Sequence, residues 1–269
     1  MIHRHQEKKA PATLSDLLKK AAPHLWHGKT CEKMFVSNVM EAVQIIGDTL
    51  DISQEDIDDY RLHLSVTRKP ATVNQKLTNL HTVLKFGKER GWVSELPSFK
   101  YNTLKNQRTR VVSPEEEEKL LGWLRKHDEE EMAAFLELLM LTATRRSELL
   151  EASKEQVEGP WLRLWKTKGG KPRSVPLTPR AKTLADHYIP FHLKTHTITR
   201  RLKEAKKAVG IDDSTLVLHS FRHTGATRLL RKSKDIRLVQ MFLGHADIKM
   251  TTRYTHLTDE DLMAAVTAK

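Results

Sequence analysis

The chain has 269 residues, 39% of them apolar, which is enough to bury a core and excludes disorder of the whole chain. Lysine and arginine number 46 and aspartate and glutamate 34, and a net charge of 46 − 34 = +12 favours a polyanionic partner such as nucleic acid, although a merely solvated basic surface has the same charge. The single cysteine, Cys31, excludes an internal disulfide and a cysteine-based zinc site. The first residues lack the apolar core of a signal peptide, and the most apolar stretch, 132–143, is too short to span a bilayer, so we expect a soluble, cytoplasmic protein.

The first hundred residues are predicted to form a small all-helical domain. Residues 1–12 are basic and have no periodicity, which predicts a flexible tail. Apolar residues recur at helical spacing from Thr13 onward, and little in 13–100 has the pattern of a strand. A helix is predicted over 73–85, with Thr72 as its candidate cap. Its polar face supplies the predicted DNA contacts of this domain: Asn74, Lys76 and Lys85.

A second, mostly helical domain is predicted after a linker. Residues 101–112 are basic and lack apolar periodicity, so they are either a solvated connector or a segment that lies along a phosphate backbone. Residues 113–269 begin with the Ser-Pro-Glu-Glu signature of a capped helix. Alternating stretches at 161–165 and 173–177, joined through Gly169-Gly170, predict a hairpin. The chain is therefore predicted to be mainly α, with one small antiparallel sheet.

A helix predicted over 197–209 has two contrasting faces. Ile198, Leu202 and Ala205 recur at helical spacing and form an apolar stripe. The other face is basic, as expected of a surface that follows a phosphate backbone. The predicted DNA contacts on this face are Arg200, Arg201, Lys203 and Lys207.

Two isolated cations in the second domain are candidates for chemistry. Arg145 follows a long apolar helix, where an arginine acts on a ligand or simply pairs with an acid such as Glu148. Lys168 lies at the hairpin turn, where a lysine is usually only solvated. A hairpin tip also reaches neighbouring grooves, so Lys168 is a candidate proton donor.

Two further segments carry histidine, arginine and tyrosine. His219 and Arg222 are three residues apart and share a helical face, which suits one phosphate held by a guanidinium and a proton carrier. His219 and His223 have the spacing of metal ligands, but no acid lies between or just after them, so we expect no metal. In Leu-Gly-His, His245 follows a helix end and Tyr254 comes nine residues later. Considered alone, the position of Tyr254 favours a half-buried structural tyrosine over a nucleophile.

The order and spacing of these segments resemble the tyrosine recombinase (phage integrase) family. That family carries arginine in T-G-x-R-x-S-E, lysine on a β-hairpin, H-x-x-R-H, and L-G-H with a tyrosine nine residues on. All six catalytic positions are matched here, by Arg145, Lys168, His219, Arg222, His245 and Tyr254. The resemblance covers most of 113–269 and extends more weakly to Ala-Thr-Val-Asn-Gln-Lys in the first domain. It departs at Ala143-Thr144, where the family usually has glycine and an apolar residue, and we expect this to alter packing only.

The resemblance implies a DNA-cleaving enzyme without a cofactor, built from a core-binding domain and a catalytic domain. Tyr254 is expected to attack a phosphodiester and form a 3′-phosphotyrosyl link. The two arginines are expected to stabilise the charge that develops on the phosphate. Lys168 is expected to protonate the departing 5′-oxygen, His219 to move the tyrosine proton, and His245 to hydrogen-bond the phosphoryl group.

The implied partner is double-stranded DNA, with four copies of the chain on two duplexes. Thr258 is a candidate cap for a C-terminal helix whose apolar edge contains Leu262, Met263 and Val266. This helix either folds back on its own domain or, as the resemblance suggests, docks into a neighbouring protomer.

Two other functions remain open at this point. A type IB topoisomerase shares much of this site but rejoins the same strand, and the separate helical first domain favours a recombinase. A catalytically silent DNA-binding regulator needs no intact site, and the presence of all six residue types argues against it.

Overall fold

The computed structural model describes residues 10–29, 31–104, 110–165, 172–244 and 251. The chain divides into two compact units, Met1–Asn106 and Gln107–Lys269, each with its own hydrophobic core. Most of the predicted tail lies outside the described residues. Over the ranges that the structure describes, no helix is both long and apolar enough to cross a membrane.

All of the regular secondary structure described in the first unit is helical, as predicted. Its helices are α1 (Leu14–Leu25), α2 (Glu32–Ile46), α3 (Gln54–Thr67) and α4 (Pro70–Lys88). Thr13 caps α1 by accepting from the backbone N–H of Asp16, and Ser53 and Asp56 form a capping box on α3. The apolar faces of the helices meet in one core, in which Tyr60 is fully buried.

The start of α4 differs from the prediction. Lys69 is the N-cap, Pro70 occupies the first helical position, and Thr72 lies inside the first turn rather than capping it. Proline suits the first position because it has no N–H to leave unbonded and its fixed φ is already helical. The helix runs on to Lys88, three residues beyond its predicted end.

The first residues of the predicted linker, 101–112, are attached to the first unit. The Tyr101 hydroxyl lies 3.1 Å from Nδ1 of His81. The backbone N–H of Asn102 donates to Oδ1 of Asn74 at 2.8 Å, and the Asn74 amide donates back to the Asn102 carbonyl at 2.9 Å. This end of the segment therefore contacts the first unit while most of its residues stay exposed, and residues 105–109 lie outside the described residues.

The second unit combines helices with a small antiparallel sheet, as predicted. Its elements are α5 (Pro114–Lys126), α6 (Glu130–Thr142), α7 (Arg146–Leu150), β1 (Val157–Glu158), β2 (Trp161–Leu164), β3 (Arg173–Pro176), α8 (Pro179–Tyr188), α9 (Thr195–Ala208), α10 (Leu218–Ser233) and α11 (Ile236–Leu243). The sheet order is β1-β2-β3, and Leu162 on β2 pairs with Val175 on β3. Strand β1 is an addition that the sequence pattern did not predict.

Helix α6 is the centre of the second unit. Nine of its thirteen residues are buried, and α10 packs against it over much of its length. At the crossing, a Cβ added to Gly225 would lie 2.1 Å from the carbonyl oxygen of Met140. Only glycine therefore lets the two helices approach this closely. The approach carries Arg222, one turn earlier on α10, to the end of α6.

Candidate active site

Arg145 is placed by the way in which α6 ends. The helix stops at Ala143, whose φ of 44° lies in the left-handed region that favours glycine. The resembled family usually has glycine at this position. The alanine therefore affects the backbone conformation as well as the packing, whereas an effect on packing alone was predicted. Arg145 follows as the N-cap of α7, and its side chain is 21% exposed.

Glu148 is the acid that holds Arg145. The Arg145 backbone N–H donates to Oε2 of Glu148 at 2.7 Å, and Nη1 donates to Oε1 at 2.8 Å. The Glu148 side chain is only 3% exposed. The pairing that the sequence left open as the alternative to a role on a ligand is present, and it fixes both the first turn of α7 and the direction of the Arg145 guanidinium.

Arg173, at the start of β3, is a residue of this site that sequence reasoning missed. Its Nη1 and Nη2 donate to the two oxygens of Glu148 at 2.8 and 2.7 Å. Burial raises the pKa of Glu148, but the hydrogen bonds and charge of Arg173, together with those of Arg145, outweigh it and lower this pKa to about 2. One signal was available, because Arg173 shares a strand face with buried Val175 and a charge on that face needs a partner.

Arg222 ties two of the motif segments together from inside the domain. Its side chain is 2% exposed. Nη1 donates to the carbonyl oxygen of Ala143, two residues before Arg145, and Nη2 donates to that of Leu243 at 3.0 Å, two residues before His245. The guanidinium thus joins the end of α6 to the end of α11, although the three segments are far apart in sequence.

His219 lies in the first turn of α10 and, unlike Arg222, is exposed. Its ring centroid is 4.4 Å from that of His223. A groove of about 420 Å³ runs from His219 to the basic face of α9, where Lys203 and Lys206 line it. Among the residues that the structure describes, no three His, Cys, Asp or Glu side chains are grouped to hold a metal.

The other three motif residues, Lys168, His245 and Tyr254, lie outside the described residues. The chain is described up to Gly244, which ends α11 with a φ of 63°, as predicted. Their proposed roles therefore depend on the sequence motif and on the described segments that lead to them.

The predicted DNA contacts on α9 differ in their surroundings. Lys203 and Lys207 are exposed. Arg200 is exposed and pairs with Glu204 on the next turn at 3.0 Å. Arg201 is half-buried between Glu204 and a second acid on α6's N-terminal flank, Glu129. The accessible positive charge among these predicted contacts therefore comes from Arg200, Lys203 and Lys207.

The predicted contacts on α4 also divide into two kinds. Lys85 is exposed, whereas Asn74 is engaged with Asn102. Lys76 is buried, and its ammonium donates to Glu41 and, at 2.9 Å, to Oδ1 of Asn38. This placement inside the first unit does not support Lys76 as a phosphate contact, because the Glu41 carboxylate balances the charge of its ammonium.

The chain has clear relatives among known proteins. A model of the phage integrase family matches residues 110–261, more than half of the chain. A tyrosine recombinase of Thermosipho africanus is 24% identical over 89% of this chain and 93% of its own length. The tyrosine recombinase XerD of Caulobacter vibrioides is 30% identical over 82% of this chain and 83% of its own length.

The fold also has a counterpart among solved structures. A lambda integrase tetramer bound to a Holliday junction matches 91% of this chain and 78% of its own chain, with a TM-score of 0.78 and 17% identity. At 17% identity the structural match shows only the fold. The family model and the XerD relative show the family. The chain belongs to the phage integrase family and is a tyrosine-type site-specific recombinase.

Proposed function

We propose that Tyr254 cleaves the DNA strand by attacking a phosphodiester that Arg145 and Arg222 hold by its non-bridging oxygens. The observation that carries this proposal is the anchoring of Arg222 between the carbonyls of Ala143 and Leu243. One buried side chain thereby supports the segment that bears Arg145 and the segment that leads to His245. The matched motif adds Tyr254 nine residues later.

The reaction is a transesterification whose atoms and charges balance without a cofactor. A bond forms between the Tyr254 oxygen and phosphorus, and the bond from phosphorus to the 5′-oxygen breaks. His219 takes up the tyrosine proton, and Lys168 supplies a proton to the departing 5′-oxygen. The product is a 3′-phosphotyrosyl link, which preserves one phosphoester bond so that a 5′-hydroxyl reverses the step without ATP.

The charge of the described site suits an incoming anion. Arg145 and Arg173 share a single carboxylate, that of Glu148, so this trio has a net positive charge. Fixed donors of this kind stabilise the charge that develops on a phosphate in an in-line attack. A tyrosine, whose pKa is ordinarily near 10, also becomes easier to ionise beside a cationic group.

The accessible cations of α4 and, separately, those of α9 are proposed to bind the phosphate backbone of the DNA. These are Lys85 on α4 and Arg200, Lys203 and Lys207 on α9. The groove between Lys203 and His219 supports this proposal, because it connects a basic helix face with a motif residue inside one unit. Such contacts release counterions, so binding is expected to weaken steeply with salt.

Four protomers are proposed to act together on two duplexes, with the C-terminal helix docked into a neighbour. The lambda integrase whose fold this chain shares was solved as a tetramer bound to a Holliday junction. A head-to-tail contact between identical protomers closes into a ring and couples the tyrosines of neighbours. The apolar edge at Leu262, Met263 and Val266 is suited to such a contact.

Covalent capture tests the proposed nucleophile. A binding site is first selected from random duplex DNA with the wild-type chain and is then rebuilt with a nick near the crossover. The wild type should become covalently attached to this duplex, whereas Tyr254→Phe should bind it with similar affinity and remain unattached. A covalent Phe variant would overturn the assignment, and relaxation of plasmids that lack the site would point to a topoisomerase.

Removal of the residues from Leu262 to Lys269 tests the proposed assembly. The truncated chain should keep single-site DNA affinity but lose cooperative assembly and recombination. Full-rate recombination by the truncated chain, or its unfolding, would contradict docking in trans.

A further inference from the structure

Arg173 lies where three segments that carry motif residues meet. It opens β3 five residues after Lys168. A Cβ added to Gly244 would fall 2.7 Å from Cδ of Arg173, so the aliphatic part of Arg173 lies directly against the residue before His245. Its guanidinium binds Glu148, the partner of Arg145.

The Glu148 carboxylate is fully used by the two arginines. Oε1 accepts from Nη1 of Arg145 and Nη1 of Arg173, both at 2.8 Å. Oε2 accepts from the backbone N–H of Arg145 and Nη2 of Arg173, both at 2.7 Å. Two of the four bonds come from each arginine, so a change in the position of Arg173 changes the carboxylate on which Arg145 depends.

Stability alone is a weak explanation for this arrangement. The side chains of Arg173 and Glu148 are 9% and 3% exposed, and removing such charges from water costs about as much as their attraction returns. A two-bond fork instead gives orientation, because a planar guanidinium fixes both carboxylate oxygens. Orientation matters at a reacting phosphate, where a misplacement of about 1 Å costs about 100-fold in rate.

We propose that Arg173 is a positioning residue for strand cleavage, which sets the Arg145 guanidinium through Glu148 and supports the turn at Gly244. This inference rests on the proposed role of Arg145 at the phosphate. Arg173 itself is not placed against the DNA. Its effect is therefore expected on the rate of cleavage and not on the affinity for the site.

The test compares Arg173→Met and Arg173→Lys with a matched control, Arg163→Met. Arg163 lies on the neighbouring strand β2 and also binds a carboxylate, that of Glu158, but at the surface. With saturating protein on the nicked duplex, Arg173→Met should lower the rate of covalent capture about 10- to 100-fold, while the dissociation constant changes less than about threefold. Arg173→Lys keeps the positive charge and should recover part of the rate. The recovery should be incomplete, because one ammonium does not bridge both carboxylate oxygens. Arg163→Met should cleave at the wild-type rate.

A double-mutant cycle distinguishes positioning through Glu148 from general damage. If Arg173 acts through Glu148, then Arg173→Met combined with Glu148→Gln should cleave no more slowly than Glu148→Gln alone. Full-rate capture by Arg173→Met, or losses that multiply in the double variant, would overturn the proposal. If the Met variant does not fold, Arg173→Lys replaces it in the cycle, and full-rate capture by the Lys variant would overturn the proposal.

Failure of the proposed function has a different signature. In that case Arg145→Ala would still be captured at the wild-type rate, or the wild type would not be captured at all. Loss of capture in Arg145→Ala combined with full capture in Arg173→Met would instead refute only the positioning role.

Discussion

Each unit of the chain contains an ionic cluster, and the two clusters differ in how far their charges are removed from water. In the first unit, Lys76 pairs with Glu41, and an asparagine amide completes the contacts of the ammonium. In the second unit, Arg145 and Arg173 share the one carboxylate of Glu148. Each carboxylate faces two cations, since Arg68 also lies 3.9 Å from Glu41, but the Arg68 side chain is 52% exposed whereas that of Arg173 is 9% exposed.

This difference separates a cluster that joins helices from one that we propose receives the phosphate. The pair of buried Lys76 and partly exposed Glu41 joins α4 to α2 and adds little net stability. A cluster whose cations are largely removed from water is less favourable until an anion arrives, and the anion that we propose here is a phosphodiester. Lys76 and Arg145 both lie in segments that resemble the family's motifs. Only their contacts in the structure distinguish a residue that joins helices from one proposed to face the substrate.

The largest expected effect comes from neutralising the carboxylate in each cluster. Glu148→Gln should lower the free energy of unfolding by about 3 kcal/mol, because it leaves the buried guanidinium of Arg173 and the partly exposed one of Arg145 without their anion. Glu41→Gln should lower it by about 1 kcal/mol, because Glu41 is partly exposed and Asn38 still accepts from Lys76. Denaturant unfolding measures both values, and equal losses would remove the distinction between the clusters.

A somewhat smaller effect is expected from the glycine that brings Arg222 to α6. Gly225→Ala should lower the free energy of unfolding by about 2 kcal/mol, because the new methyl group meets the backbone oxygen of Met140. It should also slow covalent capture by shifting α10. Gly122→Ala is the matched control on α5, where nothing lies within 4 Å of the new Cβ, and it should stabilise the chain by about 0.5–1 kcal/mol. Equal responses at both glycines would contradict the tight crossing.

The pH dependence of stability gives a smaller and more specific signal. The pKa of Glu148 is lowered from 4.5 to about 2, so its ionised form stabilises the fold fully above pH 4.5 and loses this effect as the pH falls toward 2. The gap in unfolding free energy between wild type and Glu148→Gln should be constant near neutral pH and narrow below pH 4.5. A gap that narrows already between pH 7 and pH 5 would place the pKa of Glu148 much higher.

The smallest effect is expected from chelation. The charge that a metal supplies in other phosphoryl-transfer enzymes is proposed to come here from arginines. Covalent capture should therefore proceed at the same rate in EDTA. Loss of capture in EDTA with rescue by zinc or magnesium would revive a metal role for His219 and His223.

The sequence predicted the local features of the fold well because they depend on neighbouring residues. Helical spacing located the buried stripe of α9, and alternation located strands β2 and β3. The capping box at Ser113 is also local, and it is confirmed. The error at α4 was avoidable, because proline at the first helical position is a signal within the same segment.

The tertiary partners were beyond the reach of the pattern. Lys76 was predicted to face DNA because it lies on a polar helix face, but Glu41 on another helix takes up its charge. Arg173 and Glu148 are 25 residues apart, and no periodicity links them. Alanine rarely adopts a left-handed turn, so at Ala143 only the glycine that the family usually has at this position could have predicted it.

The most direct measurement is to locate the covalent bond. Wild-type chain captured on the nicked duplex is digested with a protease and a nuclease, and mass spectrometry identifies the peptide that keeps a nucleotide. The account predicts one modified peptide, with a 3′-phosphonucleotide on Tyr254. A nucleotide attached to any other residue, or capture through a 5′-phosphate, would contradict it.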